Sequence, residues 1–86
     1  MATIEVSEKA DWKLFEDVAR ALEQGLGGRW KEKRDGLDQR YWDLLVGDHT
    51  LTLHLEHYIG ISIVVPDSAD DTARRVCALL KQPPSE

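Results

Sequence analysis

Residues 49–56 read His-Thr-Leu-Thr-Leu-His-Leu-Glu, and no other stretch constrains the fold as much as this one. Leu51, Leu53 and Leu55 alternate strictly with Thr50, Thr52, His54 and Glu56. A period of two puts the three leucines on one face of a β-strand and the polar residues on the other. A sheet built from such a strand is covered on one side only, so its second face meets water or a partner. The rest of the chain must therefore supply a cover for the leucine face.

The flanking residues predict the strand's neighbours. Gly47-Asp48 suits a two-residue hairpin turn with glycine first. That turn sets Val46 opposite His49, Leu44 opposite Leu51, Trp42 opposite Leu53 and Tyr41 opposite His54. After the leucine strand, a three-residue loop Tyr58-Ile59-Gly60, with glycine in the left-handed position, would set Leu55 opposite Ile63 and Leu53 opposite Val65. Both turns bring apolar residues to the same face, and this agreement supports the assignment. The strands so defined run over 29–34, 39–46, 49–57 and 61–65. In the first hairpin, Asp35-Gly36 as a two-residue turn would direct Lys31 and Lys33 toward the core. A longer loop through Asp38 instead turns Trp30 inward as an edge cap. The lysine-rich composition of 29–34 suits an edge strand, where charge discourages pairing with other chains.

The cover comes from the two ends of the chain. From about Lys9 to Gly25, Trp12, Phe15, Val18, Ala19, Leu22 and Leu26 recur at three- and four-residue steps, one face of an amphipathic helix. Glu16 and Arg20 stand four apart, the spacing of a surface ion pair. The Gly25–Gly28 stretch ends the helix. A second helix follows Pro66: Ser68 and Asp71 have capping-box spacing, and Ala69, Ala73, Val76, Cys77 and Leu80 form its apolar stripe. Asp67, Asp70 and Asp71 precede Arg74, Arg75 and Lys81, the order that the helix dipole favours. Pro83-Pro84 closes it, with a short disordered tail expected from about residue 82. Thr3–Val6 alternates as well and is a candidate for a short extra N-terminal strand. The expected fold is α+β: a two-layer sandwich in which a four-stranded antiparallel meander carries both helices on one face, in the order α-β-β-β-β-α.

The 86 residues suffice for a single domain over 1–86, with 42% hydrophobic content to build one core. A net charge of −5 disfavours binding to nucleic acid or to anionic membrane. The one cysteine, Cys77, excludes an internal disulfide. The first ten residues carry acidic groups and no apolar run, unlike a signal peptide, and no segment has the length of a membrane span. A cytoplasmic protein is expected.

No catalytic, cofactor or metal motif emerges. His49 and His57 lie at opposite ends of one strand, about 26 Å apart at a rise of roughly 3.3 Å per residue, and His54 has the other parity. They cannot share one zinc ion. Cys77 has no nearby base. The glycines at 25–28 follow a helix, whereas phosphate loops follow a strand and open a helix. Arg29, Lys31, Lys33 and Arg34 with Trp30 form a basic cluster, but the chain is acidic and that strand carries no second aromatic.

The open sheet face remains, and on it Tyr41, Asp43, His54 and Glu56 are the candidate protein-binding residues. Tyrosine, histidine and aspartate are ingredients of acid–base catalysis, but a flat face has no pocket to exclude water. The expected function is therefore a non-enzymatic protein-interaction module without cofactor or metal. In size, acidity and α+β layout, though not in motif, the chain resembles inhibitors of the immunity-protein type. That resemblance implies, as an alternative, an acidic protein that neutralises a basic toxin enzyme. A third reading is a small-molecule binder with a cavity between helices and sheet, opened by Gly25, Gly27 and Gly28. Because the histidines diverge, a slight molar excess of zinc is expected to leave the thermal melt unshifted. A large rise in melting temperature that His54→Ala abolishes would contradict the metal-free reading.

Overall fold

The computed structural model describes residues 2–67 and 69–80. Its elements are β1 (Ala2–Ser7), α1 (Trp12–Leu26), β2 (Arg29–Asp35), β3 (Gln39–Val46), β4 (His49–Glu56), β5 (Gly60–Val65) and α2 (Asp70–Leu80). The antiparallel sheet has the order β1-β5-β4-β3-β2, so the N-terminal segment is a full fifth strand, paired with β5. Both helices cover one face, and Leu51, Leu53, Leu55, Ile61, Ile63, Val65, Leu44 and Ile4 are buried beneath them. Among the described residues, no helix is long and apolar enough to cross a membrane.

The β3–β4 register is the expected one, from Val46 opposite His49 to Tyr41 opposite His54. Gly47 takes φ 60°, as a turn with glycine first requires. The β4–β5 register differs. Leu55 faces Ile61 and Leu53 faces Ile63, because Gly60 belongs to the strand, opposite Glu56, and the connection is His57-Tyr58-Ile59. Ile59 N–H closes it on the Glu56 carbonyl at 3.1 Å. Gly60 has φ 109°, and a Cβ there would collide with the Ser7 carbonyl and the backbone of Glu8. The glycine is needed where β1 ends against β5 rather than inside the loop. The shift is two residues, so every side chain keeps its expected face.

In the first hairpin, Asp35 pairs with Arg40, and Gly36 N–H donates to the Gln39 carbonyl at 2.7 Å, so the turn lies at Leu37-Asp38. Trp30 lies across from Leu44 and packs on the core, edge-on to Trp42 with ring centroids 5.5 Å apart. The pairing shifts between Trp30 and Glu32, a bulge that the sequence pattern does not announce. It leaves Lys33 on the core side with Trp30. The Lys33 ammonium accordingly sits over the Trp42 ring, 4.4 Å from its centroid, rather than among aliphatic side chains.

α1 begins at Trp12, later than expected, because Asp11 caps it. The Asp11 carboxylate accepts from the backbone N–H of Lys13 and Leu14 at 3.0 and 3.1 Å. Gly27, at φ 67°, ends the helix, its N–H reaching the Glu23 carbonyl. Phe15, Val18, Ala19, Leu22 and Leu26 are buried as expected, whereas Trp12 is partly exposed. Trp12 stands at the end of the sheet, where the residue beneath it is Arg40 and not a leucine. The expected Glu16–Arg20 pair is replaced. Arg20 meets Asp17 at 3.5 Å, and Glu16 turns toward Arg40 at 3.4 Å.

Arg40 is buried on the core face, with its guanidinium 4.5–4.8 Å from the ring centroids of Trp12, Phe15 and Trp42. Arg40 Nε and Trp42 Nε1 both donate to Asp35 Oδ1, at 2.9 and 2.8 Å. These bonds, the one from Arg40 first, hold the Asp35 carboxyl below its ordinary value of 3.8.

In α2, Thr72 is buried beside Val76 and Cys77, and Ala73 and Leu80 pack at the margin. A Cβ at Gly25 would run into the Leu79 side chain, so this glycine lets the helices approach closely. Arg75 Nη2 also reaches the Gly25 carbonyl, at 3.4 Å, near the negative end of α1. The expected Ser68 cap, Lys81 and the tail from about 82 lie outside the described residues.

Two measurements check this account. Leu53→Ala is expected to cost about 2–5 kcal/mol in a urea titration, as deletions in packed cores do. Thr52→Ala, one residue away on the open face, is expected to cost about 1 kcal/mol or less. Asp35→Asn is expected to lower the melting temperature at neutral pH. The stabilisation from Asp35 is complete above its ordinary value of 3.8 and is lost as pH falls through the lower folded value. The deficit of the variant should therefore close as the solution is acidified through that range.

Candidate functional site

The polar residues of β3 and β4 point away from the helices because their parity opposes that of the leucines. All four candidate residues, Tyr41, Asp43, His54 and Glu56, lie on this open face, and each is half-buried by its neighbours. They do not form one constellation.

Tyr41 and His54, directly cross-strand, stack with ring centroids 4.3 Å apart and planes 17° from parallel. Two residues along β4, Glu56 brings Oε1 to 3.3 Å from the Tyr41 hydroxyl and 3.3 Å from His54 Nε2. Gln39, opposite Glu56, places its Oε1 3.2 Å from the same hydroxyl. The single phenolic proton is thus shared between two acceptors. Burial, reinforced by the Glu56 charge and its hydrogen bond, pushes the Tyr41 phenol above its ordinary value, so it stays a donor at neutral pH. His54 Nε2 is buried without a hydrogen-bond partner, because its approach to Glu56 lacks hydrogen-bond alignment.

Asp43 belongs to a second group. It lies opposite Thr52, whose hydroxyl donates to Asp43 Oδ1 at 2.9 Å. Arg34 of β2 comes within 3.8 Å of Asp43 Oδ2 and 2.9 Å of Glu32 Oε2. The Asp43 charge is thereby partly offset within the chain, since Glu32 shares the same guanidinium. Beside this group, Asp43, Thr50, Thr52, Val64, Pro66 and Asp67 line a shallow hollow of about 490 Å³. Gln39 and Arg34 are the participants that sequence reasoning missed. Strand parity would place Gln39 on this face, and Arg34 reaches it because the turn at Leu37-Asp38 sets it opposite Tyr41.

The remaining sequence candidates are dispersed. His54 stacks on Tyr41, and His57, in the β4–β5 loop, meets Tyr58 edge-on with centroids 4.7 Å apart. Among the described residues, no three His, Cys, Asp or Glu side chains converge as metal ligands. Cys77 is buried and unbridged. The basic cluster of β2 is split between faces, with Lys33 over Trp42 and Arg34 beside Asp43. Of the glycines offered as openers of an internal cavity, Gly27 faces open space at the helix cap, and Gly25 and Gly28 are closely packed. Gly25 lies against Leu79, and a Cβ at Gly28 would come 2.8 Å from Leu44 Cδ1.

A phenol, an imidazole and a carboxylate in contact can exchange protons, but here the phenol is hydrogen-bonded to the carboxylate and the imidazole is stacked on the phenol ring. The arrangement offers a partner a held aromatic surface edged by hydrogen-bonding tips, with a hollow alongside.

No curated protein and no solved structure matches the chain. A family model described as a protein of unknown function, DUF3630, matches residues 1–82. With nearly its whole length covered by that model, the chain belongs to the DUF3630 family.

Proposed function

We propose that the chain is a non-enzymatic protein-interaction module whose binding surface is the open face of its sheet. The observation that carries this reading is the Tyr41–His54 stack, held by Glu56 and Gln39. A tyrosine combines large apolar contact area with a polar tip. An anchor whose rotamer is already fixed loses little conformational entropy on binding. The neighbouring hollow at Asp43 and Thr52 would receive a protruding side chain. Absence of enzymatic activity is part of the proposal: Tyr41, His54 and Glu56 lie on an open sheet face rather than in an enclosed cleft. The unbridged Cys77 fits a reducing compartment, and we place the module in the cytoplasm.

The test begins with capture from a native lysate and identification of the stoichiometric partner, whose affinity is then measured. Tyr41→Ala is expected to raise the Kd about tenfold or more, the effect of a central anchor, with the melting temperature little changed. Asp43→Ala should weaken the complex less, because Arg34 and Thr52 already engage that carboxylate. A partner that binds undiminished after alanine substitution of Tyr41, Asp43, His54 and Glu56 would refute the assignment.

A further inference from the structure

We propose that the end of the sheet formed by the β2–β3 and β4–β5 loops is a separate docking surface, for a protein segment carrying an apolar side chain between two cationic ones. Leu37, Tyr58 and Ile59 project there with relative exposures of 103%, 91% and 64%. Isolated exposed apolar residues need no explanation, but three large ones gathered at the tips of adjoining loops form a patch. The patch is built rather than frayed. His57 N–H donates to the Asp38 carbonyl at 2.9 Å, tying one loop to the other, and Ile59 N–H is bonded back to Glu56. Neither turn needs these apolar side chains for its own geometry.

Ile59 is a ridge between two hollows. One, of about 280 Å³, is bounded by Asp38, Glu56 and Tyr58; the other, of about 290 Å³, by Glu5 and Glu8. Both are open at the surface, and a single side chain can enter each. Each hollow has two carboxylates on its wall. Arg40, the cation of the adjoining strand end, is buried and paired with Asp35 and Glu16, which leaves Lys9 and His57 as the basic residues of the loops at this end. Charge complementarity therefore selects a partner that places a lysine or arginine on each side of an apolar residue seated against Ile59. The same carboxylates disfavour an anionic membrane and a second copy of this end. Glu56 and Gln39 line the first hollow and also hold Tyr41, so the two surfaces adjoin, whereas Ile59, Glu5 and Glu8 belong to this one alone.

A display library of random peptides selected on the intact protein tests it. The expected consensus is basic–apolar–basic. Binding of a selected peptide should weaken about tenfold or more with Ile59→Ser and with the double variant Glu5→Gln/Glu8→Gln, and should fall as salt is raised. Tyr41→Ala should weaken it less than Ile59→Ser does, and Ile59→Ser, being at an exposed tip, should melt near the native temperature. Peptides that depend on Tyr41 but not on Ile59 would overturn this inference while supporting the central face. Failure to enrich, a consensus without cations, Ile59-dependent binding to phosphatidylserine vesicles, or Ile59-dependent self-association would each overturn it as well.

Discussion

The leucines of β4 set the condition that the rest of the molecule meets. β4 is the middle strand of five, and Leu51, Leu53 and Leu55 are at most 1% exposed. Keeping three adjacent same-face side chains dry requires apolar neighbours in register on both sides and a roof. β3 and β5 provide the neighbours through Trp42, Leu44, Ile61 and Ile63. α1 and α2 provide the roof and meet each other where Gly25 admits Leu79. A slip of one residue in any central pairing would exchange this layer for threonines and His54, so the register is held energetically as well as geometrically.

Where the leucine layer ends, the structure changes its means of closure. Opposite Leu55 the core face of β3 presents Arg40, and a buried cation is costly unless it is paired. Three aromatic rings and the carboxylates of Asp35 and Glu16 surround it. The arrangement reaches into neighbouring elements. It draws Glu16 away from Arg20, leaves Trp12 partly exposed as a lid, and engages Asp35 at the end of β2. On the opposite face Arg34, from the same edge strand, engages Asp43. One edge strand thus finishes the core on one side and neutralises part of the open face on the other.

Much of the candidate site was legible. Gly47-Asp48 and the alternation in β4 together predict that Tyr41 faces His54 on the uncovered side, and the rings stack there. The same reasoning could not tell that Asp43 serves Thr52 and Arg34 rather than the Tyr41 group. Parity and register specify which residues are neighbours, whereas the choice among neighbouring hydrogen-bond partners depends on rotamers and on the turn that sets Arg34 opposite Tyr41. The loop patch at Leu37, Tyr58 and Ile59 was equally out of reach. Those residues sit in two turns separated in sequence, and only the pairing of the strands between them brings the turns to one end.

The sequence by itself determined the two-layer α+β arrangement, the faces of the strands and the apolar stripes of the helices, because these rest on local periodicity and on turn residues whose backbone preferences are intrinsic. The tertiary structure decided the rest. Gly60 entered β5 because β1 ends against it, shifting a register by two residues without changing a face. Trp12 departed from its expected burial because the sheet ends beneath it in the Arg40 cation. Trp30 shares the core side with Lys33 because of an extra residue in β2. In each case the deciding contact lies between segments distant in the chain, where composition and period carry no signal.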